Sequence, residues 1–201
     1  MVGGTGPFGR ALAQRLGAAG HDVVIGSREA AKAEQAAVEL GVAGASNEDA
    51  VRGVDLAVLA VNAKAAVDTA TALAPALGET PLLCVASELS FSKDGVLPSS
   101  EARSLAERVA DVVSAPVAAG LHSLAASNLA GEATLEEDAL VCGSDARAKE
   151  LALALAATVC DGRAVDAGPL ASARALEGLT AVIVNVNRRY GAHAGIRLTG
   201  L

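Results

Sequence analysis

"MVGGTGPFGRALAQRLGAAGHDVVIGSR", residues 1–28, holds the pattern that decides the fold. Gly4, Gly6 and Gly9 stand as G-x-G-x-x-G in "GTGPFG", ahead of a helical pattern over 8–19 that Gly20 ends and a strand-like run, "HDVVIG". The first glycine permits a tight turn, the second lets backbone approach a pyrophosphate, and the third allows close helix–strand packing. Past Thr5 and Pro7, free N–H groups at the helix start near Phe8 face the anion. A glycine turn that opens a helix leading into a strand is the context in which this motif reads as a dinucleotide site. Only Met1 and Val2 precede the turn, whereas a central strand usually has about 5–6 residues. The reading expects a truncated first strand and a translation start upstream of Met1.

The end of the second strand selects the nucleotide. An NAD site places an Asp or Glu about 20 residues beyond the glycines to bind the ribose hydroxyls. Here Ser27 and Arg28 occupy that place, Lys32 follows one helical turn later, and Asp22 lies at the wrong end of the strand. A hydroxyl and two cations suit a 2′-phosphate, which a carboxylate would repel, and so point to NADP(H). The competing reading makes Ser27 a helix cap and Arg28 a solvated side chain.

Strand-like and Ala-rich helical runs alternate onward: "REAAKAEQAAVEL" closed by Gly41, "SNEDAVRG" with a Ser46 cap, "VDLAVLAV", "KAAVDTATALAPAL" bent near Pro75, and "PLLCVA". Such alternation implies a doubly wound, Rossmann-like parallel sheet with helices on both faces, an α/β fold. Residues 87–99 read as an irregular Ser-rich loop, placed where α/β folds bind ligands. "SSEARSLAERVADVV" reads as a helix capped by Ser99 or Ser100, and 116–135 is weakly patterned. "DALVCGSDARAKELALALAATV" reads as strand, turn and helix. The chain finishes with a short strand, a Gly-Pro turn and a helix apolar on most of its circumference from Leu176 to Val186, which implies burial by a second subunit. The expected division is an NADP-binding Rossmann domain over 1–115 and a smaller C-terminal α/β part over 116–201, contributing to a second-ligand site and a dimer interface.

Hydrophobic residues are 52% of the 201 and aromatic ones 1%, so Ala, Val, Leu and Ile must build the core. No apolar run approaches the roughly 20 residues of a membrane span, and no signal-peptide pattern opens the chain. A net charge of -7 without a dense Lys/Arg cluster argues against a nucleic-acid surface. Cys84, Cys142 and Cys160 sit in or beside apolar runs without CxxC spacing, and the three histidines are scattered. The cysteines read as small core residues of a reduced, cytoplasmic protein, with no metal site expected.

"GGTGPFGRALAQRLGAAGHDVVIGSREAAKAE", "VCGSDARAKELA", "DGRAVDAGPLASARALEGLTAVIVNVN" and the terminal "GIRLTGL" together resemble the NADPH-dependent reductases of the deazaflavin coenzyme F420 over nearly the whole chain. The resemblance implies a Rossmann domain, a homodimer, and direct hydride transfer between NADP(H) and the 8-hydroxy-5-deazaflavin. It places Thr5, Ser27, Arg28 and Lys32 at the NADP phosphates, His122 of "GLHSLAA" near the deazaflavin, and Ser172 with the adjoining "GPL" where that pocket closes. The chain departs from the family pattern at "AVNAK", which contains Val61, Asn62 and Ala63, and at "CVASELSF", which contains Ala86 and Ser87; both flank the expected contact between the rings.

A reductase joining two redox cofactors needs positioning more than acid–base groups, and the sequence has no paired carboxylates and no Ser-His-Asp or Cys-His signature. With Trp absent and only Phe8, Phe91 and Tyr190 as Phe or Tyr rings, small residues such as Ala60, Ala63, Ala86 and Ala126 would let two rings meet. His122 reads either as a hydrogen-bonding partner of the deazaflavin or as a loop histidine without a role. Arg174 reads either as a phosphate partner or as the i+3 partner of Glu177. Two other functions fit the same residues: NADPH-dependent reduction of another small acceptor, such as an imine or a ferric chelate, and a non-catalytic NADP-binding module.

Overall fold

The computed structural model describes residues 1–131 and 135–201. The first stretch of the weakly patterned 116–135 region is therefore visible, while 132–134 lie outside the described residues.

After the glycine turn come α1 (Pro7–Ala18), β1 (Val24–Ser27), α2 (Ala30–Leu40), β2 (Ala43–Ser46), β3 (Ala57–Leu59), α3 (Ala63–Leu77) and β4 (Leu82–Cys84). A hairpin of β5 (Leu89–Ser92) and β6 (Gly95–Pro98) follows, then α4 (Leu105–Ala110), β7 (Val117–Gly120), α5 (Ala126–Ala130), β8 (Ala139–Gly143), α6 (Ala146–Val159), β9 (Ala164–Asp166) and α7 (Ala173–Tyr190). β1 and β2 pair in parallel, and β3, β4, β7, β8 and β9 form a sheet in that order, parallel except between β7 and β8.

Met1 and Val2 join the two sheets. Val2 N–H donates to Val58 O at 2.8 Å and Val2 O accepts from Ala60 N at 3.0 Å, while Met1 O accepts from Gly26 N at 2.7 Å. Two residues therefore do occupy the central slot, as a parallel bridge to Leu59 that holds the glycine turn between β1 and β3. The first strand is thus present as a two-residue bridge, its backbone groups pairing on both sides.

Residue parity splits the core into two layers. Leu83, Val85 and Ala118 pack with α1, α2 and α6 on one face, and Leu82, Cys84, Val117 and Ala119 pack with α3, α4 and α7 on the other. Alanines on the helices, such as Ala148, Ala152 and Ala156 of α6, are fully buried, so this core closes with few large side chains. β7, β8 and β9 continue the same sheet across residue 115.

Three local readings are corrected. Residues 89–98 form an antiparallel hairpin rather than an irregular loop. Only Val96 of the hairpin is buried, so no alternating apolar pattern marks its strands; Asn185 of α7 holds it, accepting from Val96 N at 2.9 Å and donating to Val96 O at 2.7 Å. The cap of α4 is Ser104, which forms a capping box with Glu107, while the Ser99 hydroxyl donates to Glu88 at 2.7 Å. Arg174 and Glu177 do not pair as i+3 neighbours. Arg174 donates to the carbonyls of Ser99 and Glu101, at 2.5 and 3.0 Å, and Glu177 is buried against the start of α4, accepting from Leu105 N at 2.8 Å.

Candidate functional site

The glycine turn is packed tightly everywhere except where a ligand is expected. A Cβ added to Gly4 would lie 2.6 Å from Ile25 Cβ, and one added to Gly9 would lie 2.8 Å from Gly4 Cα. Both glycines are thus demanded by strand and helix packing. At Gly6 the nearest atom to an added Cβ is Gly3 O at 3.5 Å, and φ is −74°, open to any residue. Protein packing gives no reason for a glycine at Gly6, whereas an approaching pyrophosphate does. The first intrahelical bond of α1 is Arg10 N to Gly6 O at 2.9 Å. The amides of Phe8 and Gly9 precede it and have no acceptor within the helix, so the dipole and the free N–H groups face the turn. Thr5 lies half-buried within it.

Ser27 ends β1 one strand over, beside this turn, and Arg28 follows it, exposed. Ser27 is not the α2 cap. That position is Glu29, whose N–H reaches Ser27 Oγ at 3.4 Å. Lys32 is paired with Glu29 at 2.6 Å, an exposed pair that costs little to reorganise. Arg28 has no ion pair among the described residues, which leaves its guanidinium available for a phosphate.

Past the turn lies a cavity of about 250 Å³ at the carboxyl ends of β3, β4 and β7, the place where open α/β sheets bind ligands. Phe8, Ala60, Val61, Ala86, Ser87 and His122 line it together, so six expected residues meet there. Asn62 and Ala63 lie next door, Asn62 accepting from Lys64 N at 3.1 Å to cap α3. Ala126 and Ser172 are not brought to this cavity. Ala126, with Pro7, faces a separate cleft on the outer side of α1. Ser172 stands in the short turn before α7, its N–H bonded to Pro169 O at 2.9 Å.

His122 is buried, and among the described residues neither ring nitrogen makes a well-formed hydrogen bond, the Ala86 backbone being its polar neighbour. Burial lowers its pKa to about 4, so the imidazole is neutral, offering one donor and one acceptor. Leaving such atoms unmatched costs about 1–3 kcal/mol per group, and a bound ring edge would remove that cost. Leu121, immediately before it, has φ +65°, a left-handed conformation that a non-glycine residue holds only under constraint. The constraint is visible: Leu121 N donates to Leu140 O at 3.1 Å, Leu124 N to Leu121 O at 3.0 Å, and the Thr180 hydroxyl to His122 O at 3.0 Å.

Sequence reading missed Val85, Leu89, Leu121, Leu124 and Thr180 among the lining residues. Thr180 carried a usable signal, as the single hydroxyl inside the apolar run "GLTAVIV"; the leucines carried none, since core leucines look the same.

The chain has relatives among known proteins. Residues 1–87 match the family described as NADP oxidoreductase, coenzyme F420-dependent. The F420-dependent NADP reductase of Methanothermobacter thermautotrophicus is 32% identical, the alignment covering all of this chain and 94% of that one. Its counterpart from Methanothermobacter marburgensis is 33% identical over all of this chain and 97% of its own. A crystal structure from Arthrobacter sp. FB24, provisionally assigned as an F420-dependent NADP-reductase, superposes with a TM-score of 0.83 at 26% identity, covering 98% of this chain and 97% of that one. With curated relatives above 30% identity aligned over the whole of this chain, the chain belongs to the F420-dependent NADP reductase family.

Proposed function

We propose that the glycine turn and the 250 Å³ cavity are the two halves of one hydride-transfer site. The chain is an oxidoreductase that moves hydride between NADP(H) and the deazaflavin coenzyme F420. The observation that carries the site assignment is the open space at Gly6 beside a cavity whose buried histidine makes no well-formed hydrogen bond among the described residues. The nicotinamide and deazaflavin rings supply the redox chemistry; the chain binds, orients and excludes water.

Gly4, Thr5, Gly6, Pro7, Phe8 and Gly9 form the pyrophosphate seat, and Ser27, Arg28 and Lys32 the 2′-phosphate seat. Lys32 reaches a phosphate by leaving Glu29. Val61, Asn62, Ala63, Ala86 and Ser87 border the ring-stacking space, where short side chains leave room for two flat rings in contact. His122 presents its neutral imidazole to the ring edge. In this reading residues 1–115 carry NADP and 116–201 supply His122 and α7. Ala126 and Ser172 stay outside this assignment.

The face formed by the hairpin and α7 supports a homodimer. Phe91, Leu97, Val182 and Tyr190 are all more than half exposed there, apolar side chains that a second copy would take out of water. Three buried free cysteines suit a reducing cytoplasm. Among the described residues no helix is long and apolar enough to cross a membrane.

The direct assay mixes the protein, NADPH and oxidised coenzyme and follows the deazaflavin absorbance. Bleaching is expected; its absence in a sample shown to bind NADPH overturns the activity.

A further inference from the structure

Ser87 Oγ and Thr180 Oγ1 lie 2.8 Å apart, so one hydroxyl proton sits between them. The Thr180 hydroxyl has a single proton, and it is committed to the His122 carbonyl at 3.0 Å. Thr180 can then only accept from Ser87. Ser87 spends its own proton on Thr180, and no other partner of its oxygen exists among the described residues. What Ser87 offers to the cavity is a pair of lone pairs and no donor. The surrounding side chains of Ala60, Val61, Ala86 and Leu89 are apolar, and His122 is the other side chain of the cavity with polar atoms open to a ligand.

We propose that Ser87 is a specificity-determining residue whose acceptor-only oxygen selects a ring edge carrying an amide-type N–H. The neutral His122 imidazole on the same cavity complements it, donating to the carbonyl that accompanies such an N–H. A carbonyl presented directly to Ser87 would meet lone pairs and be rejected. The identity of the candidate ligands rests on the NADP–deazaflavin assignment above. Both rings carry this chemistry, as the carboxamide of the nicotinamide and the imide of the deazaflavin.

Two binding arms distinguish the sources. In the first, calorimetry compares NADP+ with its acetylpyridine analogue, which keeps the carbonyl and lacks the N–H. In the second, fluorescence titration compares the deazaflavin with its N-methylated imide. The intact protein is expected to bind the analogue about tenfold more weakly than the parent in one arm, the order expected when a buried acceptor is left unmatched. Ser87→Ala should bring that ratio close to unity. Thr180→Val frees the Ser87 proton to turn toward the ligand, and should lower the ratio while the parent ligand still binds. Equal ratios for intact protein and Ser87→Ala in both arms overturn the proposal. An unchanged ratio in a folded Thr180→Val variant overturns the proton assignment behind it. These are binding measurements, so an intact ratio without turnover would count against the reductase activity and in favour of Ser87 as the selecting group.

Discussion

Replacing Gly6 by alanine separates ligand fit from folding, because the structure assigns the two demands to different glycines. An added Cβ at Gly6 meets nothing closer than 3.5 Å, and φ −74° with ψ 163° suits alanine. Alanine caps a helix less well than glycine by roughly 0.5–1 kcal/mol. It also removes about 0.4–1 kcal/mol of unfolded-chain entropy. These effects nearly cancel, so denaturant unfolding of Gly6→Ala should differ from the intact protein by no more than about 0.5 kcal/mol. Binding should behave differently. A methyl group where the pyrophosphate sits lifts the anion from the free amides at the start of α1, and one charged hydrogen bond is worth about 1.5–3 kcal/mol. Calorimetry should then show NADP+ bound about 10- to 100-fold more weakly. Gly9→Ala is the contrast: its Cβ would fall 2.8 Å from Gly4 Cα and 2.9 Å from Gly3 O, backbone that cannot yield, and about 1–3 kcal/mol of stability should be lost. A stable Gly6→Ala protein with unchanged NADP+ affinity would refute the pyrophosphate seat, and a strongly destabilised one would refute the open space.

Arg28→Asp should weaken NADPH by about tenfold or more while leaving NADH little changed; equal losses in parallel titrations would count against a 2′-phosphate at β1. Burial raises the Glu177 carboxyl to about 7, with the Leu105 and Ala106 amides opposing. The folded protein therefore holds this proton longer than the unfolded chain, so this group's stabilisation is full below the ordinary carboxylate pKa and falls as pH rises toward 7. Glu177→Gln should flatten that slope in denaturation midpoints taken at acid and neutral pH. For His122 the sign is opposite: with a pKa of about 4 against an ordinary 6.5, its contribution is lost as pH falls through that window. Its NMR resonances should stay constant from neutral pH down to about 5.5, and a midpoint near the ordinary value would show the ring is not buried. Val182→Glu, in the exposed apolar face of α7, should convert a dimer to monomer in light scattering.

The alternation of apolar runs with Ala-rich helices was enough to place helices on both faces of a parallel sheet, because a two-residue and a 3.6-residue period are written locally. Gly4 and Gly9 were legible for the same reason: backbone packing within one turn imposes them, and "GSR" at the end of β1 lies at a set distance beyond. The hairpin at 89–98 was not legible. Its strands bury only Val96 and owe their pairing to Asn185, about 90 residues away. Ser104 displaced Ser99 and Ser100 as the α4 cap because Ser99 is drawn to Glu88 by the fold around it.

The cavity belongs to tertiary structure throughout. Phe8, Ser87, His122 and Thr180 come from four separate stretches, and only sheet order and the seating of α7 bring them together. The same holds for the central slot, where the backbone of Met1 and Val2 is paired only because β1 and β3 stand on either side. By itself the sequence determined a nucleotide fold, its phosphate turn and its cofactor, because each is encoded in contiguous residues. Which atoms of His122 and Ser87 face the cavity, and with what polarity, depends on bonds between residues far apart in the chain, and only the folded molecule sets those.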